Sequence, residues 1–359
     1  MFDRYNPPAS ICIMRLSAIG DVCHTIPVVR TLQHYWPETK ITWIIGKAEA
    51  TLVGDIPDIN FIIFNKADGL SAYKKLRTAL KGQQFDLLLH LQESLRSSIA
   101  TLFIKAKVKL GFNKQDAQDH QWLFCNQQID FIPRQHYMDR LLQFTEKLEL
   151  TPPEIRWDIP ISTEDEKQAL KLLPDGNPFI VISPCSSVVK RNWRNWTVEG
   201  YAAIADLAKT EYGLNVVFTG GPAQHEKLFG EKIQAKMNTT ATNLIGKLTL
   251  KQLLATIKKS SAVISPDSGP AHMATTVGVP AVSLFTTSNP NFTGPYYSKD
   301  WIINKYPEAL EKYNHTNVQD APWGHRVRNP EAVELITVND IAQKLAALPA
   351  ATLSRKESL

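Results

Sequence analysis

The feature that most constrains this chain is an alternation that runs through it twice. Short apolar, β-branched runs give way to segments of helical period, and after an interruption the series starts again. In the first half the runs fall at residues 11–16, 41–45, 61–64, 85–90 and 108–111, with amphipathic stretches at 28–35, 71–80 and 137–148. A run that is apolar at every position fits a strand buried on both faces, and the helical segments supply the cover. Such alternation predicts a parallel sheet with helices on both sides.

Residues 151–178 break the rhythm with five prolines and a charged run at 164–167. This segment reads as a connection between domains, with a short strand around 155–159. A second series follows, with strands expected at 179–183, 215–219, 243–245, 262–265 and 281–285 and helices at 198–211, 222–237, 250–259 and 270–277. Beyond Thr286 the pattern dissolves into an Asn/Pro/Tyr-rich stretch before a last helix at 339–348. The 359 residues thus divide into a first domain, 1–160, a second, 161–338, and a terminal helix and tail, 339–359, for which the first domain is a candidate packing surface. Two doubly wound α/β domains in tandem predict a central ligand cleft at the carboxyl ends of their strands.

Composition narrows the class. An apolar fraction of 43% and a charged fraction of 21% call for no disordered reading. Forty Lys and Arg against thirty-five Asp and Glu leave a net charge of +5. That excess suits an anionic small molecule or a peripheral visit to an anionic membrane, and alone it is too weak to argue for nucleic acid. Cys12, Cys23, Cys125 and Cys185 are scattered and form no metal-finger spacing, which fits a reducing cytosol. Residues 1–10 carry no apolar h-region, and no run approaches the ~18 apolar residues a spanning helix needs. The expectation is a soluble, cytoplasmic protein.

Four loops carry candidate chemistry. The first, Arg15-Leu-Ser-Ala-Ile-Gly-Asp21, leaves the first strand. Pro27 lacks an N–H, so regular helix is expected to begin near it, which leaves Ser17–Asp21 as a loop over the strand end. Gly20 lets that loop turn, and Asp21 either projects a carboxylate into the cleft or caps the helix. The second, Ser265-Pro-Asp-Ser-Gly-Pro-Ala-His272, also joins a strand to a helix, with Pro270 in the first turn and Ser268 or Gly269 as the cap. Its free amides suit diphosphate or sugar oxygens, and Asp267 and His272 add polar groups beside them.

In the third loop Ser186 stands at a strand end before Lys190 and Arg191, cations that an anionic leaving group requires. The fourth is Gly220-Gly-Pro-Ala-Gln-His-Glu226, where Glu226 either binds ribose hydroxyls or complements the helix dipole. No D-x-D pair, H-E-x-x-H, P-loop or G-x-S-x-G elbow is present. Cys185 has no evident partner base and reads as a buried thiol.

The first two loops together, Ser-Ala-Ile-Gly-Asp21 and Asp267-Ser-Gly-Pro-Ala-His272, resemble glycosyltransferase family 9, the ADP-heptose:lipopolysaccharide heptosyltransferases of GT-B fold. The resemblance spans roughly residues 11–348. It implies an inverting, metal-independent and cofactor-free transfer of heptose from ADP-heptose to the inner core, the acceptor being a lipid A–Kdo type glycolipid at the cytoplasmic face of the inner membrane. By the same likeness Asp21 is the catalytic carboxylate and Lys190 the phosphate ligand. Glu226 lies near the nucleoside, Gly246 and Leu248 line the adenine pocket, and Asp267, Ser268, Gly269 and His272 form the sugar and diphosphate loop. Many members carry Lys two positions before a Trp, whereas Lys190-Arg-Asn-Trp193 has one residue more, so Lys190 and Arg191 both stand as candidates.

An acidic acceptor calls for basic residues in the first domain. Lys66, Arg96 and Lys114 each follow a strand end, His136 precedes a helix, and Ser17 and Gly20 belong to the Asp21 loop. Two other readings remain: a transferase with another donor or acceptor, since a fold does not fix the sugar, and a nucleotide-sugar-binding protein without turnover. A nicotinamide oxidoreductase lacks its glycine fingerprint here.

Overall fold

A computed structural model describes residues 2–176, 178–186 and 193–348. The chain separates into two units, Met1–Pro160 and Ile161–Leu359. The first holds six strands, β1 (Ser10–Met14), β2 (Lys40–Gly46), β3 (Ile59–Phe64), β4 (Phe85–His90), β5 (Ala106–Gly111) and β6 (Gln127–Gln128). They pair in parallel in the order β3-β2-β1-β4-β5-β6. The order follows from the side chains. β1 and β4 are mostly apolar and buried at almost every residue, so they take the centre, whereas β5 alternates lysines with apolar residues and lies toward an edge.

The second unit repeats the plan with β7 (Phe179–Ile182), β8 (Asn215–Phe218), β9 (Thr242–Asn243), β10 (Ala262–Pro266), β11 (Ala281–Phe285) and β12 (Ile302–Asn304). Its parallel order is β12-β11-β10-β7-β8-β9. Both sheets therefore have the doubly wound order, third-second-first-fourth-fifth-sixth. Connections leave the sheet in opposite directions at the first and fourth strands, and ligands of such sheets bind beyond the carboxyl ends there. Asp21 and Arg96 lie in the first turns of the helices that follow β1 and β4, and Ser186 and Asp267 in the loops after β7 and β10.

Five expectations are corrected. The first helix spans Ile19–Tyr35 and contains Pro27 instead of starting near it. An interior proline leaves the carbonyl four residues back without a donor. Here that carbonyl is Cys23 O, and the Trp157 indole N–H donates to it at 2.8 Å. Trp157 lies in the proline-rich connection, where no strand forms at 155–159. That stretch is instead tied to the helix side by side, with Arg30 donating to Trp157 O and Asp158 O at 3.2 and 2.7 Å and Glu154 N–H to Thr31 Oγ1 at 2.9 Å.

The charged run is not linker but a helix, Thr163–Leu170, whose N-cap Ser162 accepts from Asp165 N–H at 3.0 Å. Three acids in its first turn suit the positive end of the helix dipole. Past Thr286 the chain still builds β12 and a helix, Tyr306–Asn314, closed by His315 in the left-handed region. The terminal helix Val338–Ala346, for which the first domain was a candidate surface, packs in the second unit. Ile341, Leu345 and Leu348 are buried in the core of the second, with Ile204, Ala205 and Ala208 of the helix Val198–Thr210. Among the described residues no helix is long and apolar enough to cross a membrane.

Candidate active site

In the first unit the loop after β1 is built around a buried cation. Arg15 is 3% exposed. It donates through Nη1 to Leu91 O at 2.5 Å and Tyr137 Oη at 2.6 Å, and through Nη2 it pairs with Asp21 Oδ2. Burial opposes its charge, but Asp21 and Tyr137 outweigh that cost and hold the guanidinium pKa above its ordinary value. Burial likewise pushes the Tyr137 phenol up to about 12.

Asp21 is the third residue of the helix, and its Oδ2 also accepts the Ala18 N–H at 3.0 Å. It therefore does cap the helix. Yet both contacts end on one oxygen, and the side chain is 38% exposed. Oδ1 makes no hydrogen bond among the described residues. Ser17, half-buried, is joined to Ala18 by a cis peptide, and Gly20 is buried in the first helical turn.

Beside this loop lies a cavity of about 380 Å³ formed by the ends of β1, β2, β3 and β4. Ser17, Lys66 and Arg96 line it, together with Lys47 and the buried Glu49. Lys114 is exposed and is not among the lining residues; its backbone N–H donates to Gln128 Oε1 at 3.0 Å. His136 is buried and caps the helix Tyr137–Glu146 through Nδ1, which accepts from Met138 N–H at 3.1 Å. The same helix is fixed from below by Arg140, which pairs with Glu93 at 3.2 Å and Asp116 at 3.0 Å. It thereby carries Tyr137 to Arg15.

In the second unit two loops adjoin. Glu226 accepts the Gly221 N–H at 2.7 Å, and a methyl group on Gly220 or Gly221 would stand 2.9 or 2.8 Å from its carboxylate oxygens. This close approach is what the glycine pair provides. Gly246, at φ +75°, donates to Gly220 O at 3.0 Å and so brings the 245–247 turn against the same loop, with Leu248 half-buried behind it. Cys185 lies near enough to feel Glu226. Burial first, then that charge, pushes its thiol up to about 12, which leaves it a poor nucleophile.

After β10, Ser268 is the N-cap of the helix Gly269–Thr276, and Pro270 is its second residue. Asp267 is buried; its Oδ2 accepts from Ser288 Oγ at 2.8 Å and faces Arg194 Nη1 at 3.5 Å, which also donates to Asp267 O at 2.9 Å. Ser268 does not cap with its side chain. Its Oγ is buried without a hydrogen-bond partner among the described residues. His272 is buried one turn along. Ser186 is held by Asn195, whose Oδ1 accepts both its N–H and its hydroxyl at 2.8 and 3.0 Å. Lys190 and Arg191 lie outside the described residues.

The structure thus gathers Asp21, Ser17, Lys66 and Arg96 in one unit and Glu226, Gly246, Asp267 and Ser268 at strand ends in the other. Sequence reasoning passed over Arg15, Glu49 and Arg194. Arg15 stood in the quoted loop, and its signal was a lone cation directly after an apolar strand. Arg194 continued the basic run 190–191. Among the described residues no three His, Cys, Asp or Glu side chains converge as metal ligands would.

The sequence model of glycosyltransferase family 9 (heptosyltransferase) matches residues 73–321. The lipopolysaccharide core heptosyltransferase OpsX of Haemophilus influenzae is 39% identical over 341 residues, 95% of this chain and 97% of its own. Among solved structures, a glycosyl transferase family 9 protein from Veillonella parvula covers 97% of this chain and 98% of its own at 23% identity, with a TM-score of 0.78. The Escherichia coli heptosyltransferase WaaC, solved with ADP, covers 95% and 100% at 17% identity, with a TM-score of 0.68. The fold is the GT-B type, with one doubly wound domain in each half. The Asp21 loop precedes the stretch matched by the family model but falls within a likeness to OpsX that takes in nearly all of both chains. The chain belongs to glycosyltransferase family 9 and is a heptosyltransferase.

Proposed function

We propose that this enzyme of lipopolysaccharide core synthesis transfers heptose from ADP-heptose to an inner-core Kdo or heptose acceptor, with inversion and without a metal. The observation that carries the reading is the Asp21 carboxylate, fixed on one oxygen by Arg15 and Ala18 and open to an acceptor hydroxyl on the other. Oδ1 takes the proton as the acceptor oxygen attacks the anomeric carbon, and the bond to the diphosphate breaks on the opposite face. ADP leaves with the bonding pair. Its growing charge is met by Lys190 or Arg191, by the amides at the start of the helix Gly269–Thr276 and by the unpartnered Ser268 hydroxyl. Glu226 takes the ribose hydroxyls, Gly246 and Leu248 flank the base, and Asp267 with His272 and Ser186 holds the donor sugar and phosphates.

Lys66 and Arg96 line the cavity beside Asp21 and meet the acid groups of the acceptor, with Ser17 and Gly20 shaping its edge. Lys114 and His136 belong to this reading only as outer contributors, since neither lines that cavity. The acceptor's lipid places the enzyme at the cytoplasmic face of the inner membrane. A stripe of exposed side chains supports that contact: Leu95, Ile99 and Leu102 recur at helical spacing on the element that also carries Arg96. The reading is tested by incubating the protein with ADP-heptose and Kdo-terminated lipopolysaccharide in EDTA and assigning the new glycosidic bond by NMR. An inverted linkage formed in EDTA is expected; retention, or activity that returns only with added Mg²⁺ or Mn²⁺, contradicts it.

A further inference from the structure

Glu49 is a buried acid with no side-chain partner among the described residues. It is 6% exposed and belongs to the helix Lys47–Val53, which starts directly after β2. A glutamate at the third helical position ordinarily reaches back to the N–H of the cap residue. Here that residue is Gly46, and its N–H is already bonded to Leu16 O at 2.9 Å. Among the described residues Glu49 forms no ion pair, and its one hydrogen bond is to its own backbone N–H. Burial raises its pKa, with Lys66 and Arg15 pulling the other way. A Cβ at position 46 would stand 2.3 Å from Glu49 Oε2, so glycine is what gives the acid its seat.

The seat opens on the cavity beside the Asp21 loop, and the exposed side chains of Lys47, Lys66 and Arg96 line the same space. Three cations repel an amine or a metal ion, so a cationic ligand does not answer the buried acid. They call for an anionic group at the rim. A carboxyl beneath them calls for a hydrogen-bond donor that carries no charge, which a sugar hydroxyl supplies. A neutral sugar would leave the cations unanswered, and an anion without hydroxyls would leave Glu49 facing like charge.

We propose that Glu49 is a specificity residue that accepts a hydrogen bond from a hydroxyl of an anionic sugar, whose acid group is held by Lys47, Lys66 and Arg96. This rests on the reading that the cavity takes the acceptor. The probe is free 3-deoxy-octulosonic acid, followed by saturation-transfer NMR on the whole protein, wild type against Glu49→Leu and Glu49→Gln. Wild type should bind it, Glu49→Leu should weaken binding about tenfold or more, and Glu49→Gln, whose amide oxygen still accepts, should stay within about threefold. Thermal midpoints of both variants check that the fold is kept. Absence of binding to the wild type, or equal binding by a folded Glu49→Leu, overturns the proposal. In turnover, Glu49→Leu should raise the acceptor KM and leave the donor KM alone. A wild type that binds the sugar acid through Glu49 but transfers no heptose refutes the proposed reaction and keeps this site; transfer with an unchanged acceptor KM in Glu49→Leu does the reverse.

Discussion

At the scale of single residues the account turns on the division of labour within the Asp21 carboxylate. Asparagine keeps the Oδ2-side contact to Ala18 but cannot take a proton. Asp21→Asn should therefore lower kcat by roughly 10²-fold or more, with donor affinity little changed. Near-wild-type turnover would reduce Asp21 to the helix cap it also is. The diphosphate ligand is separable in the same way. Lys190→Ala should weaken ADP binding by about 1.5–3 kcal/mol in calorimetry, and Arg191→Ala by less; the reverse ranking would assign the phosphate to Arg191. Asp21 was legible only as either a cleft carboxylate or a helix cap, its catalytic reading coming from the family likeness. Arg15 was not, since nothing in one sequence says that a cation at a strand end will be buried and aimed back at a residue six positions on.

Among elements, Pro27 shows where local reasoning gives way. Its missing N–H is a sound reason to start a helix near it, and the helix nevertheless runs eight residues ahead. The compensation comes from Trp157, whose indole fills the vacancy at Cys23 O from 134 positions further along the chain. Trp157→Phe should thus destabilise the protein by about 1–3 kcal/mol in denaturant unfolding. Pro27→Ala in the same background restores the internal bond and should recover part of the loss; strictly additive effects would contradict the coupling. Ten of the twelve described strands were legible from apolar runs, β6 and β12 being the exceptions, and the charged helix Thr163–Leu170 was missed because its core-facing side is little more than Ala169. The exposed stripe on Leu95–Thr101 has its own test. Ile99→Ser with Leu102→Ser should reduce co-sedimentation with vesicles containing phosphatidylglycerol, and unchanged sedimentation would remove this face from the membrane contact.

For the whole molecule, two sheets of identical winding order explain why four loops hold nearly all the candidate chemistry: each follows the first or fourth strand of its sheet, or a strand next to them. That much was readable from the doubled alternation. The edge strand β12 was not, because three residues, Ile302–Asn304, are too short a run to stand out from an Asn/Pro/Tyr-rich stretch. The central claim, acceptor-dependent transfer of heptose from ADP-heptose, has one direct measurement. Purified protein is given ADP-heptose and lipopolysaccharides truncated at successive inner-core sugars, and released ADP is followed. The account predicts ADP release only with an acceptor that ends at the correct Kdo or heptose, one heptose being added for each ADP. ADP release that ignores the acceptor, or none with any truncation, would contradict it.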